Sequence, residues 1–372
     1  MPGLLPDVDP DGLLEYSVVY TDRAVNHMSQ NFQGVMRDIS KTLKVVYGAA
    51  GVAVVPGSGT YGMEAVARQL ATDKSTLVIR NGWFSYRWTQ IFDAGHIPSS
   101  STVLKARRAE PGPTQPFAPA PIAEVVATIR AERPAVVFAP HVETAAGMML
   151  PDDYIAEAAA AVHEVGGLFV LDCIASGTVW VDMEETGVDV LISAPQKGWS
   201  ASPCSALVMM SPAGLEAVQN STSTSFACDL GKWLQIMNAY ENGGHAYHAT
   251  MPTDALTSFH AVMKETEAYG FTRVRDEQIE LGARTREMLT SRGFHSVAAP
   301  GFQAPGVVVS YTTDPTLPAK FAAAGLQIAA GVPLQCDEGD DFATFRIGLF
   351  GLDKLHNIER TVTSLERALD GM

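Results

Sequence analysis

Residues 168–199, LFVLDCIASGTVWVDMEETGVDVLISAPQKGW, decide how the chain is organised. The apolar runs 168–171 and 188–192 are rich in β-branched residues and too short for helices, so both are predicted to be buried strands. Asp172 closes the first run, and Lys197 follows the second. Ligands bind beyond the carboxyl ends of the strands in an open α/β sheet, so this acid and this amine could face one ligand. Taken alone, an Asp in a turn and a surface Lys in a loop are the simpler interpretation.

Predicted strands and helices alternate along the chain on both sides of this stretch. Such alternation is typical of parallel strands joined by right-handed crossovers, with helices on both faces of the sheet. The predicted strands are 52–55, 76–79, 102–104, 135–139, 168–171, 188–192, 206–210, 306–310 and 344–347. The predicted helices are 28–47, 61–70, 84–94, 122–131, 152–165, 230–241, long helices between 254 and 292, and 352–369, while the Pro-rich segment 110–121 is predicted to be a loop.

The chain is predicted to consist of an arm and two domains. Pro, Asp and Gly dominate the first dozen residues, so residues 1–22 are expected to form an irregular N-terminal arm. Residues 23–258 are predicted to form a large α/β domain, with a mainly parallel sheet flanked by helices. Residues 259–372 are predicted to form a smaller C-terminal α+β domain of long amphipathic helices and two strands.

Composition and charge limit the classes of function. The 372 residues are 47% hydrophobic and carry a net charge of −15 without a run of Lys or Arg, which argues against nucleic acid or an anionic membrane as the partner. The N-terminus lacks the regions of a leader peptide and no apolar run reaches membrane-span length, so we expect a cytoplasmic protein. The cysteines have the spacing of neither a metal site nor a disulfide framework, and they are Cys173, Cys204, Cys228 and Cys336.

The segment GSGT at 57–60 has the composition of an anion-binding loop. Two glycines let the backbone approach a ligand closely, and the N–H groups of the following predicted helix are free to bind a phosphate. The segment matches neither of the common glycine-rich nucleotide motifs. Taken alone, it is better explained as a glycine turn before a helix.

Together with Asp172 and Lys197, this loop could form a cofactor-binding site. A lysine amine can condense with an aldehyde, and a carboxylate can keep a pyridine nitrogen protonated so that the ring withdraws electrons. Pyridoxal phosphate (PLP) needs an amine, an acid and a phosphate site. Here the phosphate loop, the acid and the lysine follow one another, each at a predicted strand end.

Seven motifs in order resemble the class V aminotransferases of the fold type I PLP enzymes, in particular the alanine-glyoxylate and serine-glyoxylate aminotransferase group. The resemblance extends over residues 26–351. The motifs are GSGT (57–60), NGWFSYRW (81–88), HVET (141–144), LDCIAS (171–176), SAPQKGW (193–199), YHATMP (247–252) and FRIGLFG (345–351). Their combination implies a PLP enzyme with this fold.

The resemblance implies roles for the residues in these motifs. Lys197 would be the Schiff-base lysine and proton shuttle, and Asp172 would bind the pyridine nitrogen. Phe84 would stack on the ring, with Trp83 as the rival for that place. The other implied cofactor contacts are Ser58, Gly59, Thr60 and Gln196 at the phosphate, Thr144 near the ring hydroxyl, and Ile174 on the other ring face.

Three further implied roles concern the substrate and a second chain. Tyr247 and Thr250 resemble a segment that reaches across a dimer interface to the neighbouring subunit's phosphate, so a homodimer would share its active sites. Arg346 resembles the arginine that clamps the substrate α-carboxylate in a bidentate pair. No metal is implied, and His141 stays outside the catalytic set because a strand-end histidine held by backbone groups is as plausible.

The expected activity is transfer of an amino group from a small amino acid to a small 2-oxo acid, such as glyoxylate or pyruvate, by a ping-pong mechanism. The alternative is a PLP-dependent lyase acting by β-elimination or as a desulfurase through Cys336. A PLP-binding regulator without activity is a more remote alternative. The chain has DPDGLLEYSVVYTDR at 9–23 where the family usually carries a Gly-Pro-Gly-Pro turn, which indicates a remodelled substrate pocket.

Overall fold

The computed structural model describes residues 11–108 and 110–372, so the first ten residues of the predicted arm lie outside the described residues. The helices are α1 (Gln30–Tyr47), α2 (Gly59–Leu70), α3 (Trp83–Gly95), α4 (Ile122–Glu132), α5 (Asp152–Glu164), α6 (Met183–Thr186), α7 (Pro212–Gln219), α8 (Leu230–Glu241), α9 (Thr253–Tyr269), α10 (Phe271–Ser291), α11 (Leu317–Ala323), α12 (Leu352–Leu355) and α13 (Ile358–Asp370). The strands are β1 (Gly51–Pro56), β2 (Ser75–Arg80), β3 (Ser100–Lys105), β4 (Arg107–Arg108), β5 (Phe117–Ala118), β6 (Val136–Pro140), β7 (Val142–Glu143), β8 (Met148–Met149), β9 (Leu168–Asp172), β10 (Val190–Ser193), β11 (Ser205–Met210), β12 (Val307–Tyr311), β13 (Ala329–Ala330) and β14 (Thr344–Gly348).

Seven strands form the central sheet in the order β1-β11-β10-β9-β6-β2-β3. The strands from β10 to β3 are parallel neighbours. Only β11 runs against the others, because it pairs antiparallel with both β10 and β1. The mainly parallel sheet is therefore as predicted, and the reversal at β11 is an addition that the apolar pattern does not show. Asp172, the last residue of β9, lies at the carboxyl edge that β10, β6 and β2 share.

Helix α1 shows how local sequence sets the boundaries of these elements. Ser29 begins it, because its side chain accepts a hydrogen bond from the N–H of Phe32, and Gly48 ends it with a φ of 64°. Phe32, Ile39 and Leu43 are completely buried along one face. At about 2 kcal/mol for each buried large apolar side chain, this face holds the helix against α8, α9 and the sheet.

A second sheet of three antiparallel strands, in the order β12-β14-β13, belongs to the C-terminal part of the chain. The core around the seven-stranded sheet includes buried residues as far along the chain as Met263. A separate core begins with Val274. The boundary predicted at residue 258 falls inside α9, so the division into 23–258 and 259–372 stays a proposal, which the two cores support.

Two sequence predictions are wrong in detail. The closing helix predicted at 352–369 is two helices, α12 and α13, because the backbone of Asn357 (φ −134°, ψ 52°) leaves the helical conformation between them. The predicted loop at 110–121 contains β5, which pairs with β4. Phe117 in β5 is buried, and its ring lies 6.0 Å from that of Phe342. This packing explains why the segment is ordered locally in spite of its prolines.

Within residues 11–108 and 110–372, none of the helices combines the length and the apolar character needed to cross a membrane. The four cysteines are all buried free thiols.

Candidate active site

A cavity of about 430 Å³ lies at the carboxyl edge of the parallel strands. The residues that line it lie at or after the ends of β1, β2, β6, β9 and β10 and in the small sheet and the segment that follows it. Ten of the twelve predicted site residues are among them, and these are Ser58, Gly59, Thr60, Phe84, Thr144, Asp172, Ile174, Gln196, Lys197 and Arg346. Tyr247 and Thr250 are not among the residues that line the cavity. The structure thus gathers the predicted acid, amine, anion-binding loop and arginine into one place.

The loop after β1 brings the N-terminus of α2 to the cavity. Ser58 precedes the helix and its side chain makes no capping hydrogen bond, so its hydroxyl and the N–H groups of Gly59 and Thr60 can serve a ligand, whereas the N–H of Tyr61 donates to the Ser58 carbonyl oxygen. Gly59 is tightly packed, since a Cβ there would lie 2.5 Å from Cδ1 of Ile174. Gly57 has a φ of +121°, a conformation that favours glycine. The two glycines are therefore needed for the shape of this loop.

Gln196 lies in the loop between β10 and β11 and also lines the cavity. Its Oε1 is buried and has no hydrogen-bond partner among the described residues. The oxygen and nitrogen of an amide are interchangeable by rotation, so this position can equally present the Nε2 donor to an anion. A ligand with phosphate oxygens would satisfy it.

Asp172 is a buried carboxylic acid at the end of β9. The N–H of Ile174 donates to its Oδ1 over 2.9 Å. Burial raises the pKa of Asp172 to about 7; the hydrogen bond from Ile174 opposes this rise, and the negative charge of Glu143 adds to it. A buried carboxyl that titrates near neutral pH is suited to share a proton with a ring nitrogen.

Lys197 reaches the same cavity from the loop after β10. Its Nζ lies 5.1 Å from the centre of the Phe350 ring. Burial and, to a smaller extent, the positive charge of Arg346 lower the pKa of the Lys197 amine. The next residue must be glycine, because a Cβ at Gly198 would overlap the carbonyl group of Gly177. The lysine is therefore held on a closely packed backbone and is more easily deprotonated than a surface lysine.

Arg346 enters the cavity from β14 of the small sheet. Its Nε donates to the carbonyl oxygen of Ala330 over 2.9 Å. Its guanidinium carbon lies 5.7 Å from the centre of the Phe84 ring. These two contacts orient the guanidinium, and its remaining N–H groups can bind a carboxylate.

Glu143 is a buried residue beside the site that the sequence pattern did not single out, although it lies within the motif HVET. It is completely buried, and it accepts hydrogen bonds from the N–H groups of Phe84, Ser85 and Ala145 and from the Ser85 hydroxyl, over 2.7–3.1 Å. These contacts fix the start of α3, which carries Phe84. A charged residue beside a predicted buried strand end was the signal available in the sequence.

We expect Glu143→Ala to lower the free energy of unfolding by about 3–5 kcal/mol, because three buried N–H groups and one hydroxyl would lose their acceptor. Urea unfolding of the cofactor-free protein measures this change. Glu216→Ala is the matched control, since Glu216 is exposed on α7, and it should change the free energy by less than about 0.5 kcal/mol. Equal effects of the two substitutions would contradict the role of Glu143.

Burial shifts the pKa of two other titratable side chains near the site, His141 and Cys336. The Nδ1 of His141 lies 2.7 Å from the hydroxyl of Ser176, and burial lowers the pKa of His141 to about 4, so the ring is neutral at pH 7. Burial, assisted by the charges of Glu143 and Glu338, raises the pKa of Cys336 to about 12. A thiol in that environment is a poor nucleophile, which counts against the desulfurase alternative.

Tyr247 and Thr250 lie in the segment between α8 and α9. The Tyr247 side chain is 54% exposed, and its hydroxyl lies 3.1 Å from Oγ1 of Thr250. Neither residue touches the cavity of its own chain. Their predicted role at a phosphate therefore requires a second chain.

The residues that line the cavity fit PLP. The buried carboxyl of Asp172 suits the pyridine nitrogen, the amine of Lys197 suits the aldehyde, and the N-terminus of α2 with the unpartnered amide of Gln196 suits the phosphate. A larger cavity of about 650 Å³ lies beside residues 331–342. Its lining residue Lys105 pairs with Asp337 over 2.8 Å, and the predicted site residues Asp172, Lys197 and Arg346 are not part of its lining.

Several known proteins are similar to this chain in sequence. The Aminotransferase class-V family profile matches residues 13–322. The chain is 27% identical over 252 residues to L-aspartate–glyoxylate aminotransferase of Paracoccus denitrificans (strain Pd 1222). This alignment covers 67% of the chain and 60% of that relative. It is 27% identical over 322 residues to 2-aminoethylphosphonate–pyruvate transaminase of Vibrio vulnificus (strain CMCP6), with coverages of 85% and 83%.

The solved structures show the same fold. The crystal structure of alanine–glyoxylate aminotransferase from Nostoc sp. superposes with a TM-score of 0.77, at 19% identity, and the match covers 93% of the chain and 89% of that structure. This similarity confirms the predicted fold class.

Proposed function

The chain belongs to the class-V aminotransferase family, and from this membership we propose that it is a PLP-dependent aminotransferase that moves an amino group from a small amino acid to a small 2-oxo acid by a ping-pong mechanism. One observation carries the proposal. Asp172, Lys197 and Arg346 meet in one cavity, beside the N-terminus of α2. An acid, an amine and a carboxylate-binding arginine beside an anion site are the groups that transamination requires.

Each of these residues has a distinct task in the proposed reaction. Bound PLP would supply an aldehyde that accepts amines and a ring that withdraws electrons from the α-carbon of the substrate. Asp172 holds a proton at the ring nitrogen. Lys197 Nζ removes the α-proton of the amino acid, and the lowered pKa of this amine increases the uncharged fraction that can act as a base. Arg346 orients the substrate by its carboxylate.

The walls of the cavity support small substrates. Val142, Ala329 and Phe350 line it near these groups and offer apolar surface to a substrate side chain. The two curated relatives are named for glyoxylate and for pyruvate. Both are small 2-oxo acids, which supports an acceptor of this class here.

We expect Arg346→Gln to lower kcat/KM for the amino donor about 100-fold, because two charge-assisted hydrogen bonds to the carboxylate would be lost. Arg346→Lys should recover only part of this loss, since an ammonium cannot form the bidentate pair. Steady-state kinetics with a series of amino donors would measure both variants. An unchanged kcat/KM in Arg346→Gln would contradict the assignment of the carboxylate site.

We further propose that two copies of the chain assemble and share their active sites. Tyr247 and Thr250 are then available to the partner's phosphate site. Apolar side chains of the arm are exposed in the single chain, among them Leu14 (83%), Tyr16 (89%) and Val18 (102%), and a second copy would cover them. The cytoplasmic location stays a prediction.

Initial-rate kinetics test the proposed function. With the PLP-loaded protein, varying one substrate at several fixed concentrations of the other should give parallel double-reciprocal lines. Intersecting lines, or no transfer with any small amino acid and 2-oxo acid, would overturn the ping-pong proposal. The high pKa of Cys336 predicts no release of sulfide from cysteine.

A further inference from the structure

Arg87 is a second arginine in the cavity, beside Arg346. It lies on α3, three residues after Phe84, and lines the cavity together with Arg346. Its Nη1 donates to the hydroxyl of Thr60 over 3.1 Å, and its guanidinium carbon lies 5.1 Å from the centre of the Phe84 ring. Arg87 is therefore attached to the first turn of α2, at the predicted phosphate loop.

Neither cavity arginine forms an ion pair within residues 11–108 and 110–372. Arg346 is tied to the backbone of Ala330, and Arg87 to the side chain of Thr60. A partly buried guanidinium without a direct ion pair loses solvation, and only more distant carboxylates offset this loss, Asp172 for Arg87 and Glu143 for Arg346. In a chain with a net charge of −15, two such groups in one cavity indicate two places for anions.

Both guanidinium groups lie near the Phe84 ring, but they come from different elements of the fold. Arg346 belongs to the small sheet and to the predicted carboxylate site. Arg87 contacts Thr60, whose N–H group belongs to the helix N-terminus that attracts a phosphate. The anion at Arg87 is therefore expected to be the one that also contacts α2.

We propose that Arg87 binds the phosphate group of the cofactor and supplies the positive charge that the N-terminus of α2 alone lacks. This inference rests on the proposed PLP-dependent function. A guanidinium fits two phosphate oxygens at once, and the hydrogen bond to Thr60 leaves Nη2 and Nε without a partner among the described residues. The same anion-binding chemistry could instead serve an acidic side chain of the substrate, and the experiment separates these two sources.

Glu143 helps to position Arg87. It binds the N–H groups of Phe84 and Ser85 at the start of α3, and so it fixes the helical turn that carries Arg87. Glu143 and Arg87 form no ion pair within the described part of the chain, which leaves the guanidinium charge available. Glu143 acts here as a positioning residue.

The test compares PLP with pyridoxal, which lacks the phosphate. Each is titrated into the full-length cofactor-free chain, and the dissociation constant is obtained from visible absorbance. We expect Arg87→Gln to weaken PLP binding about 10- to 100-fold and to change pyridoxal binding less than about threefold. Arg87→Lys should retain part of the PLP affinity, because it keeps the charge without the fork. Arg130→Gln, an exposed arginine paired with Glu164, is the control and should change neither.

Competition with inorganic phosphate, which carries no aldehyde, provides a second measurement. The inhibition constant of inorganic phosphate against PLP binding should be higher for Arg87→Gln than for the wild-type protein. Equal loss of PLP and pyridoxal affinity in Arg87→Gln would overturn the inference. Unchanged PLP affinity with a selective loss of acidic amino donors would also overturn it and assign Arg87 to the substrate. A wild-type chain that binds no PLP would instead refute the proposed function.

Discussion

Replacement of Lys197 by alanine is expected to lower the rate of transamination by at least about 10⁴-fold. A positioned general base contributes about 10²–10⁴-fold, and Lys197 is in addition the only lysine that lines the described cavity and could capture the cofactor aldehyde. The variant should fold, because the Lys197 side chain forms no ion pair within the described residues. Single-turnover kinetics at saturating PLP measures the loss.

Two further measurements would test the role of Lys197 specifically. Borohydride reduction of the wild-type protein with PLP should attach the cofactor to Lys197, as peptide mapping would show, and Lys105→Ala should behave like the wild type because Lys105 pairs with Asp337 elsewhere. Added primary amines should restore part of the activity of Lys197→Ala by acting as external bases. Activity within tenfold of the wild type in Lys197→Ala would refute the assignment.

Asp172→Asn is the second substitution with a large expected effect, and it should separate activity from stability. Without the carboxylate, nothing at the end of β9 can keep a ring nitrogen protonated. Loss of a charge that stabilises the reacting state costs about 10³-fold in rate. The amide keeps an oxygen that can accept the hydrogen bond from the N–H of Ile174, so the local backbone should be retained.

The same substitution should stabilise the cofactor-free protein above pH 7. The pKa of Asp172 is raised from 3.8 to about 7 by burial, so the folded state keeps a proton that the unfolded state has lost. The wild-type contribution is fully present below pH 3.8 and is lost as the pH rises to about 7, a loss of up to about 4 kcal/mol. Asp172→Asn lacks this loss. Urea unfolding from pH 5 to pH 8 should therefore show a growing advantage of the variant, and a constant difference would contradict the burial argument.

The arrangement of Asp172 and Lys197 could be predicted because it depends on short-range patterns. Each residue follows a short apolar run, and parallel strands bring their carboxyl ends to one edge of the sheet. The motifs of the aminotransferase family then supplied Phe84, Thr144 and Arg346, which the structure places in the same cavity.

The residues that were missed depend on contacts between distant parts of the chain. Glu143 binds Phe84 across 59 positions, and Arg87 binds Thr60 across 27. Spacing along the sequence carries no signal for such hydrogen bonds. The antiparallel direction of β11 was not predicted either, because a buried strand has the same continuous apolar pattern in either direction.

The errors at 352–369 and at 110–121 have local causes. The helix predicted at 352–369 has apolar residues at helical spacing on both sides of Asn357, and periodicity alone does not register the change in backbone direction. The pairing of β5 with β4 was hidden because the two strands have two residues each.

The most direct test of the central claim is the half-reaction with a single amino acid. PLP-loaded protein, free of any 2-oxo acid, is mixed with a small amino acid such as alanine, and both the 2-oxo acid and ammonia are measured against the number of active sites. An aminotransferase working through Lys197 and Asp172 should form one equivalent of 2-oxo acid per site and then stop, without ammonia, until an acceptor is added. Continued formation of 2-oxo acid with release of ammonia, or no product at all with any small amino acid, would contradict the account.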